Sequence, residues 1–109
     1  MPLRQIFYVD TIKPAEISFD PAKNEANIRE RGLPFSLVKD EFDWGTALIG
    51  EDTRKEYGER RYEALGYVGS RLHVVVYVPA TEYVRVISFR KANKRELRKY
   101  GKATEPRTD

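Results

Sequence analysis

The sequence contains no cysteine, which excludes disulfides, thiolate nucleophiles and zinc–cysteine sites. It has a single histidine, His73, and without a second His or Cys at ligand spacing we expect no metal site. No apolar run reaches the length of a membrane-spanning helix, and the first residues lack the apolar segment of a secretory signal. These absences predict one soluble, cytoplasmic domain that uses no cofactor and contacts no membrane.

The sequence has a local excess of positive charge. Residues 84–102, VRVISFRKANKRELRKYGK, contain eight of the 20 basic residues and only one of the 17 acidic ones. This segment therefore carries a charge of +7, whereas the whole chain carries +3. The remainder of the chain is therefore net negative. Such an asymmetric distribution favours a polyanionic partner more strongly than the net charge does.

Three helices are predicted from their caps and apolar spacing. Asp20 is suited to an N-cap, Pro21 to the first helical position, and Gly32 to a left-handed C-cap. A second helix is expected over residues 35–44, where apolar residues recur on one face. The third is expected over residues 94–102, after an Asn and Glu spaced as a capping box.

Five strands complete the expected fold. Strands are predicted over residues 17–19, 46–50, 61–68, 71–78 and 83–89. The order β-α-α-β-β-β-β-α predicts an α+β fold with a mostly antiparallel sheet and helices packed on it. We predict a domain over residues 17–102, an extension over 1–16 that is loose or forms a short strand, and a flexible tail over 103–109.

Strand alternation predicts which side chains of the last hairpin are buried. Leu72, Val74, Val76 and Val78 form an unbroken apolar face, which predicts a core face, joined by Val84 and Val86. Depending on the hairpin loop, Arg85 lies opposite Tyr77 or opposite Val76. The second register buries a charge among valines, so we favour the first. Arg85, Tyr77 and His73 then share the non-core face.

The predicted surface is suited to a phosphodiester. Arg61 begins the neighbouring strand and Arg90 ends the last one, and guanidinium groups match phosphate oxygens. The sequence has no glycine-rich phosphate loop, no nucleophile elbow and no carboxylate pair for two metals. A nuclease without metal is possible on RNA, because the 2′-OH can attack the adjacent phosphorus. In the simplest alternative, Arg85 is solvated or paired with Glu63.

Four segments carry a family resemblance. FDPAKNEANIRERG, ERRYEALG, RLHVVVYV and RVISFRKANKRELRKY, in this order, resemble the BrnT toxins of bacterial type II toxin–antitoxin systems. The resemblance implies a RelE-like fold and a ribonuclease that halts translation. It also implies a cognate BrnA-type antitoxin with a DNA-binding domain, and operator DNA bound only through the toxin–antitoxin complex.

Individual residues match the family's motifs. The matching positions are Asp20, Pro21, Lys23, Asn24 and Asn27, then Arg61 and Tyr62, then Arg85 and Arg90. Two positions depart from the pattern. Glu30-Arg31 stands where the family usually has Lys-His, so a histidine base is missing there. Phe89 replaces a usually small residue and is expected to narrow the cleft.

Three functional hypotheses follow. In the first, a metal-independent ribonuclease binds the scissile phosphate with Arg61, Arg85 and Arg90. Proton transfer is left open among Tyr62, Tyr77 and His73, and RNA binding is assigned to Arg31, Lys91, Lys94, Arg95 and Arg98. The second is a non-catalytic RNA-binding or protein-interaction module on the same fold. The third is a scaffold whose basic tail is solvated surface.

Overall fold

The sheet and helices follow the predicted order, with one additional strand. The computed structural model describes residues 3–8, 14, 16–54, 56 and 58–105. The elements are β1 (Leu3–Tyr8), β2 (Glu16–Ser18), α1 (Pro21–Arg31), α2 (Ser36–Asp40), a 3₁₀ helix (Trp44–Thr46), β3 (Leu48–Asp52), β4 (Tyr62–Val68), β5 (Arg71–Pro79), β6 (Tyr83–Lys91) and α3 (Lys94–Ala103). The predicted α+β fold is confirmed. Most of the predicted extension outside β1, and residues 106–109 of the predicted tail, lie outside the described residues.

The six strands form one sheet in the order β1-β3-β4-β5-β6-β2. Neighbouring strands are antiparallel, except that β2 runs parallel to β6. The two longest strands, β5 and β6, therefore lie side by side near one edge, and the charged C-terminal segment begins inside the sheet.

Helix α1 begins and ends as its sequence predicts. The Asp20 side chain accepts a hydrogen bond from the Ala22 N–H at 2.9 Å, and Pro21 occupies the first turn. Gly32 has φ of 70°, the left-handed conformation that favours glycine at a helix end, and its N–H donates to Ile28. The sequence thus fixes both ends of this helix locally.

Asn27 fastens α1 to the sheet. Its buried side-chain nitrogen donates to the carbonyl oxygens of Leu33, at 2.8 Å, and Phe89, at 3.0 Å. Its oxygen accepts from Arg31 at 2.8 Å. Asn24 accepts from the Phe35 N–H at 2.8 Å. The two asparagines of the opening motif therefore connect α1 to the loop that follows it and to β6.

The second helix is shorter than predicted, and the expectation that it continues to residue 44 was wrong. Phe42 forms a bridge with Val68, and the Asp43 N–H donates to the Tyr67 carbonyl at 2.8 Å. These contacts draw the backbone towards β4 and end α2 at Asp40. Trp44 is buried at the start of the 3₁₀ helix.

Both faces of the sheet are buried, each by different helices. On the helix-pair face, Ala64, Val75, Tyr77, Val86 and Phe89 pack with Phe35, Val38 and Trp44 from the α1–α2 region. On the α3 face, Leu48, Leu65, Leu72 and Val74 pack with Tyr100 of α3. The prediction that His73 and Tyr77 lie on a non-core face was therefore wrong, since their exposures are 3% and 6%.

A β-bulge in β6 changes the predicted register. Val78 pairs with Arg85 and Tyr77 with Val86, but Val76 pairs with Ser88, so β6 holds one extra residue, Ile87. Neither predicted register was correct. Val86 joins Tyr77 on the helix-pair face, while Arg85 lies on the α3 face beside half-buried Val78.

Helix α3 docks through its aromatic side chain. The predicted capping box between Asn93 and Glu96 is confirmed. The Tyr100 ring packs edge-on against Tyr67 at 5.4 Å, and its hydroxyl donates to the Thr46 carbonyl at 2.9 Å. The other large apolar side chain of α3, Leu97, is 42% exposed. Most of the basic side chains of α3 consequently remain on the surface.

We expect Asn27→Ala to destabilise the fold by about 1–3 kcal/mol, because it leaves buried carbonyls without a donor. Urea unfolding followed by circular dichroism measures this change. Glu25→Ala, an exposed substitution on the same helix, is the control and should stay within about 0.5 kcal/mol of the parent. Equal effects from the two variants would contradict the fastening role of Asn27.

Candidate functional site

The α3 face carries the predicted arginines at the end that α3 leaves uncovered. Alternation places Arg61, Glu63 and Leu65 on this face, and the register brings Arg61 and Arg85 to either side of Val78. The side chains of Arg61 and Arg85 are 24% and 45% exposed. Two arginines that are distant in sequence therefore meet at one exposed end of the sheet.

A single carboxylate joins these two arginines. The Arg85 guanidinium donates to both oxygens of Glu59, at 2.9 and 3.0 Å. The Arg61 guanidinium lies 3.4 Å from one of the same oxygens through two of its nitrogens. Both guanidinium groups thus converge on one small anionic group, Arg85 through one nitrogen to both oxygens and Arg61 through two nitrogens to one oxygen. Guanidinium groups bind phosphate oxygens as well as carboxylate oxygens.

Arg90 lies on the same face but is held by α3. Its guanidinium makes two hydrogen bonds to the Glu96 carboxylate, at 2.9 and 2.8 Å. Burial acts to raise the pKa of Glu96, but the hydrogen bonds from Arg90 and the Asn93 N–H outweigh it and hold that pKa below its usual range. Arg90 consequently fixes the first turn of α3 as well as contributing charge.

A buried acidic pair, Asp52 and Glu63, lies on the same face. The alternative in which Arg85 pairs with Glu63 was wrong, because Arg85 pairs with Glu59 and Glu63 with Arg54. Arg54 binds the Asp52 carboxylate through two nitrogens, at 2.8 and 2.7 Å, and lies 3.4 Å from Glu63. Burial raises the pKa of Glu63, and Asp52 adds to this effect while Arg54 and Arg90 oppose it. One feature of the sequence could have indicated Glu63. It is a charged residue two positions after Arg61, in a strand whose two faces are both packed.

The three predicted proton-transfer residues lie on the opposite, helix-pair face. His73 is buried against the Phe89 ring, and its Nδ1 lies 2.9 Å from the Arg71 carbonyl oxygen. Tyr77 is buried beside Tyr62, with ring centroids 6.0 Å apart, and burial raises the pKa of Tyr77 above its usual range. Tyr62 is half-buried. None of the three shares a face with Arg85 and Arg90.

The predicted RNA-binding residues fall into two groups around Arg90. Arg31 and Lys91 line a groove of about 350 Å³ with Arg90, and Arg95 lines a cavity of about 200 Å³ with Arg90 on the other side. Lys94 and Arg98 are exposed on α3. Arg31 is also bonded to the Phe89 carbonyl at 3.2 Å. The basic residues therefore surround Arg90 rather than forming one continuous strip.

A larger cavity, of about 610 Å³, lies beside the loop between β3 and β4. Four carboxylates line it, those of Glu51, Asp52, Glu56 and Glu59, with Arg60 as a basic residue. This lining is suited to cations rather than to a polyanion. Within the described ranges, however, no group of three or more His, Asp or Glu side chains is arranged to hold a metal ion.

The family of the chain follows from a comparison with family models. A model described as the ribonuclease toxin BrnT of type II toxin–antitoxin systems matches residues 19–96. The chain belongs to the BrnT family. No individual curated protein matches it significantly. As a toxin of a type II system, a BrnT-family protein has an antitoxin partner.

The BrnT motif residues divide into structural and exposed ones. Asp20, Asn24 and Asn27 cap or fasten α1, and so explain the opening motif through folding. Phe89, one of the two departures from the family pattern, is fully buried against His73 on the helix-pair face. The expectation that it narrows the cleft was wrong, because it lies on the other face from the arginines.

Among the described residues of this BrnT-family chain, no helix is long and apolar enough to cross a membrane. The longest helix, α1, has 11 residues, far short of the required span.

We expect the chain's only histidine to titrate below its ordinary pKa of 6.5, because burial disfavours the charged ring more than the Arg71 carbonyl stabilises it. Its contribution to stability is then lost as the pH falls below the ordinary value, since the unfolded chain takes up the proton first. NMR titration of the single pair of ring-proton signals measures the pKa. A value at or above 6.5 would contradict the buried position of His73.

Proposed function

We propose that this chain is a metal-independent endoribonuclease that cleaves RNA by attack of the 2′-OH on the adjacent phosphorus. The observation that carries this proposal is the convergence of Arg61 and Arg85 on the Glu59 carboxylate. A carboxylate and a phosphate present similar pairs of oxygens to guanidinium groups. The position of Glu59 therefore marks a site that a backbone phosphate of RNA can occupy.

Arginines at this position supply what the cleavage reaction needs from the protein. As the 2′-oxygen attacks, negative charge grows on the phosphoryl oxygens, and fixed guanidinium groups stabilise that charge without first having to reorganise. One such donor is worth roughly 3–4 kcal/mol of the barrier in other enzymes. DNA lacks the 2′-OH, so the mechanism predicts cleavage of RNA alone.

The neighbouring basic residues are suited to the RNA chain on either side of the scissile phosphate. Arg31 and Lys91 border the groove on one side of Arg90, and Arg95 borders the cavity on the other. Lys94 and Arg98 extend this charge along α3. Because these contacts are electrostatic, each should contribute to affinity and to its salt dependence rather than to the chemical step.

The proposal extends to the cellular role. Cleavage of RNA in the cytoplasm inhibits translation, and a BrnA-type antitoxin with a DNA-binding domain neutralises the toxin. Operator DNA is then bound only through the toxin–antitoxin complex. The family match supports the toxin class and the existence of an antitoxin, and these finer statements rest on the resemblance.

A second candidate function is RNA binding without cleavage. The observation that favours it is the location of His73, Tyr62 and Tyr77 on the face away from the arginines, which leaves the predicted proton carriers out of reach. Binding of RNA without any product, at an affinity that falls with salt, distinguishes this candidate from the ribonuclease.

We expect Arg85→Ala to reduce the cleavage rate by roughly 10²–10³-fold, as removal of one donor to the developing charge does elsewhere. Cleavage of a mixed-sequence RNA by the purified chain in EDTA measures this, together with growth arrest on expression. Arg98→Ala, on the exposed face of α3, should weaken binding without changing the rate at saturating RNA. Arg29→Ala, exposed on α1, is the control and should leave both unchanged.

Wild-type chain that neither arrests growth nor cleaves RNA in EDTA would overturn the ribonuclease proposal. Equal losses from Arg85→Ala and Arg98→Ala would contradict the separation of a strand site from a helix surface. Cleavage that appears only after a divalent metal is added would overturn metal independence and leave the ribonuclease in place.

We expect Glu59→Gln to increase RNA affinity several-fold at low salt, because the phosphate no longer displaces a negative group from Arg61 and Arg85. Fluorescence anisotropy with a fully 2′-deoxy strand of the same sequence, which is DNA and lacks the attacking hydroxyl, measures phosphate binding without cleavage. Glu82→Gln, which removes an exposed charge in the β5–β6 turn, is the control for net charge. Unchanged or weaker binding by Glu59→Gln alone would contradict a phosphate site between the arginines.

A further inference from the structure

We propose that Glu63 is the general base of the cleavage reaction and takes the proton of the attacking 2′-OH. This inference rests on the proposed ribonuclease function and assigns the proton-transfer role that the sequence left open. Glu63 lies on the α3 face, two residues along β4 from Arg61, which is roughly 7 Å in an extended strand. It is thus on the same face as both arginines of the phosphate site.

Glu63 lines an enclosed cavity between β4, β6 and α3. The cavity has a volume of about 200 Å³, and four basic side chains, those of Arg54, Arg90, Arg95 and Lys99, line it together with Glu63. Glu96 also lines the cavity and pairs with Arg90, and Arg54 is bound to Asp52. Glu63 at the cavity wall is placed to meet a sugar hydroxyl, with Arg95 and Lys99 as the lining cations for the phosphates on either side. Arg90 lies next to the groove that Arg31 and Lys91 border, so the cavity continues the proposed RNA path.

Packing alone does not explain a carboxyl group at this position. Glu63 is only 3% exposed, and its neighbours across the sheet are Gly50 and Val76. Its ion-pair partner, Arg54, lies 3.4 Å away and is already bound through two nitrogens to Asp52. A buried ion pair is often no more stabilising than apolar side chains of similar size. The retained charge is better explained by a chemical role.

The charges around Glu63 favour a base over an acid. Asp52 of β3 and Glu96 of α3 face it with negative charge, while Arg54 of the β3–β4 loop and Arg90 of β6 face it with positive charge. Burial makes the carboxylate more basic by raising its pKa, and Arg54 and Arg90 oppose this shift. A base of this kind works best when its pKa approaches the working pH.

The proposed step uses only the RNA, Glu63 and water. The 2′-hydroxyl loses its proton to the Glu63 carboxylate as the 2′-oxygen forms a bond to phosphorus. The bond from phosphorus to the 5′-oxygen breaks, and the leaving oxygen keeps the electron pair and takes a proton from water. The products are a 2′,3′-cyclic phosphate and a 5′-hydroxyl, and Glu63 returns its proton to the hydroxide that remains.

The test compares Glu63→Gln with wild type in EDTA. We expect the rate at saturating RNA to fall by about 10²-fold or more, the usual contribution of general base catalysis. Affinity for an uncleavable 2′-deoxy analogue should not change. The wild-type rate should rise with pH until Glu63 is ionised, and the variant should lose this limb. Glu51→Gln, on the adjacent strand and 40% exposed at its side chain, is the matched control.

Unfolding measurements separate catalysis from folding. The raised pKa of Glu63 means that its protonated form favours the folded state, and this contribution is lost as the pH rises above the ordinary range of a carboxyl group. Above that range Glu63→Gln should be at least as stable as wild type. A variant that loses activity together with stability would overturn the catalytic assignment.

Two other results would also overturn it. An unchanged rate and pH profile in Glu63→Gln, with wild type active, would remove Glu63 from the reaction and leave the ribonuclease proposal standing. Weaker binding of the 2′-deoxy analogue, with an unchanged cleavage rate at saturating RNA, would mean that Glu63 only contacts a nucleobase. Inactive wild-type chain would overturn the ribonuclease proposal itself, so the two failures are distinguishable.

Discussion

The β-bulge at Ile87 determines how the basic segment is distributed over the sheet. Arg90 comes five positions after Arg85. Because five is an odd number, the two side chains would point to opposite faces of a regular strand. The extra residue between the pairs Tyr77–Val86 and Val76–Ser88 reverses the alternation once. Both arginines therefore reach the α3 face, while Val86 and Phe89 enter the opposite core. The bulge allows one strand to serve a core and a charged surface.

The same bulge explains which parts of the fold could be predicted from sequence. Local signals were sufficient for α1 and α3, because Asp20, Gly32 and the Asn93–Glu96 pair act within a few residues of where they stand. The prediction of which strand residues share a face was wrong, because a period of two in the sequence does not reveal an inserted residue. Tyr77 and His73 look amphipathic in sequence, and they are buried because α1 and α2 cover a face that a simple two-layer fold would leave open.

The predicted end of α2 failed for a related reason. Residues 35–44 have helical apolar spacing, but Phe42 forms a bridge with Val68 of β4 instead of continuing the helix. A Cβ on Gly66 would lie 2.6 Å from the Phe42 ring, so this glycine makes the close approach possible. The partner that ends the helix is 24 residues away in sequence, and no local pattern indicates it. Glu59 was missed for the same reason, because its partners only meet in the folded sheet.

Two arginines of the C-terminal segment are paired with acids in different ways, Arg90 with Glu96 of the same segment and Arg85 with Glu59 from elsewhere in the chain. Glu96 is 16% exposed at its side chain and belongs to the capping box of α3, so releasing Arg90 would also loosen a helix end. Glu59 is 34% exposed and comes from a loop, so its displacement from Arg85 by the proposed phosphate needs less rearrangement. Exposure therefore separates a structural arginine from an exchangeable one, although sequence presents the two as equivalent.

Position on the sheet, rather than residue type, governs which group can transfer a proton. Histidine and tyrosine are familiar acid–base residues, but burial shifts the pKa of His73 downward and that of Tyr77 upward on the face without the arginines. Glutamate has a lower ordinary pKa, and burial on the arginine face raises the pKa of Glu63, with Arg54 and Arg90 opposing the shift. A general base can accept the proton only if it lies next to the 2′-OH while the adjacent phosphate is bound. Of these three groups, Glu63 alone shares the face of Arg61 and Arg85, which is why the proposed mechanism assigns the proton to it.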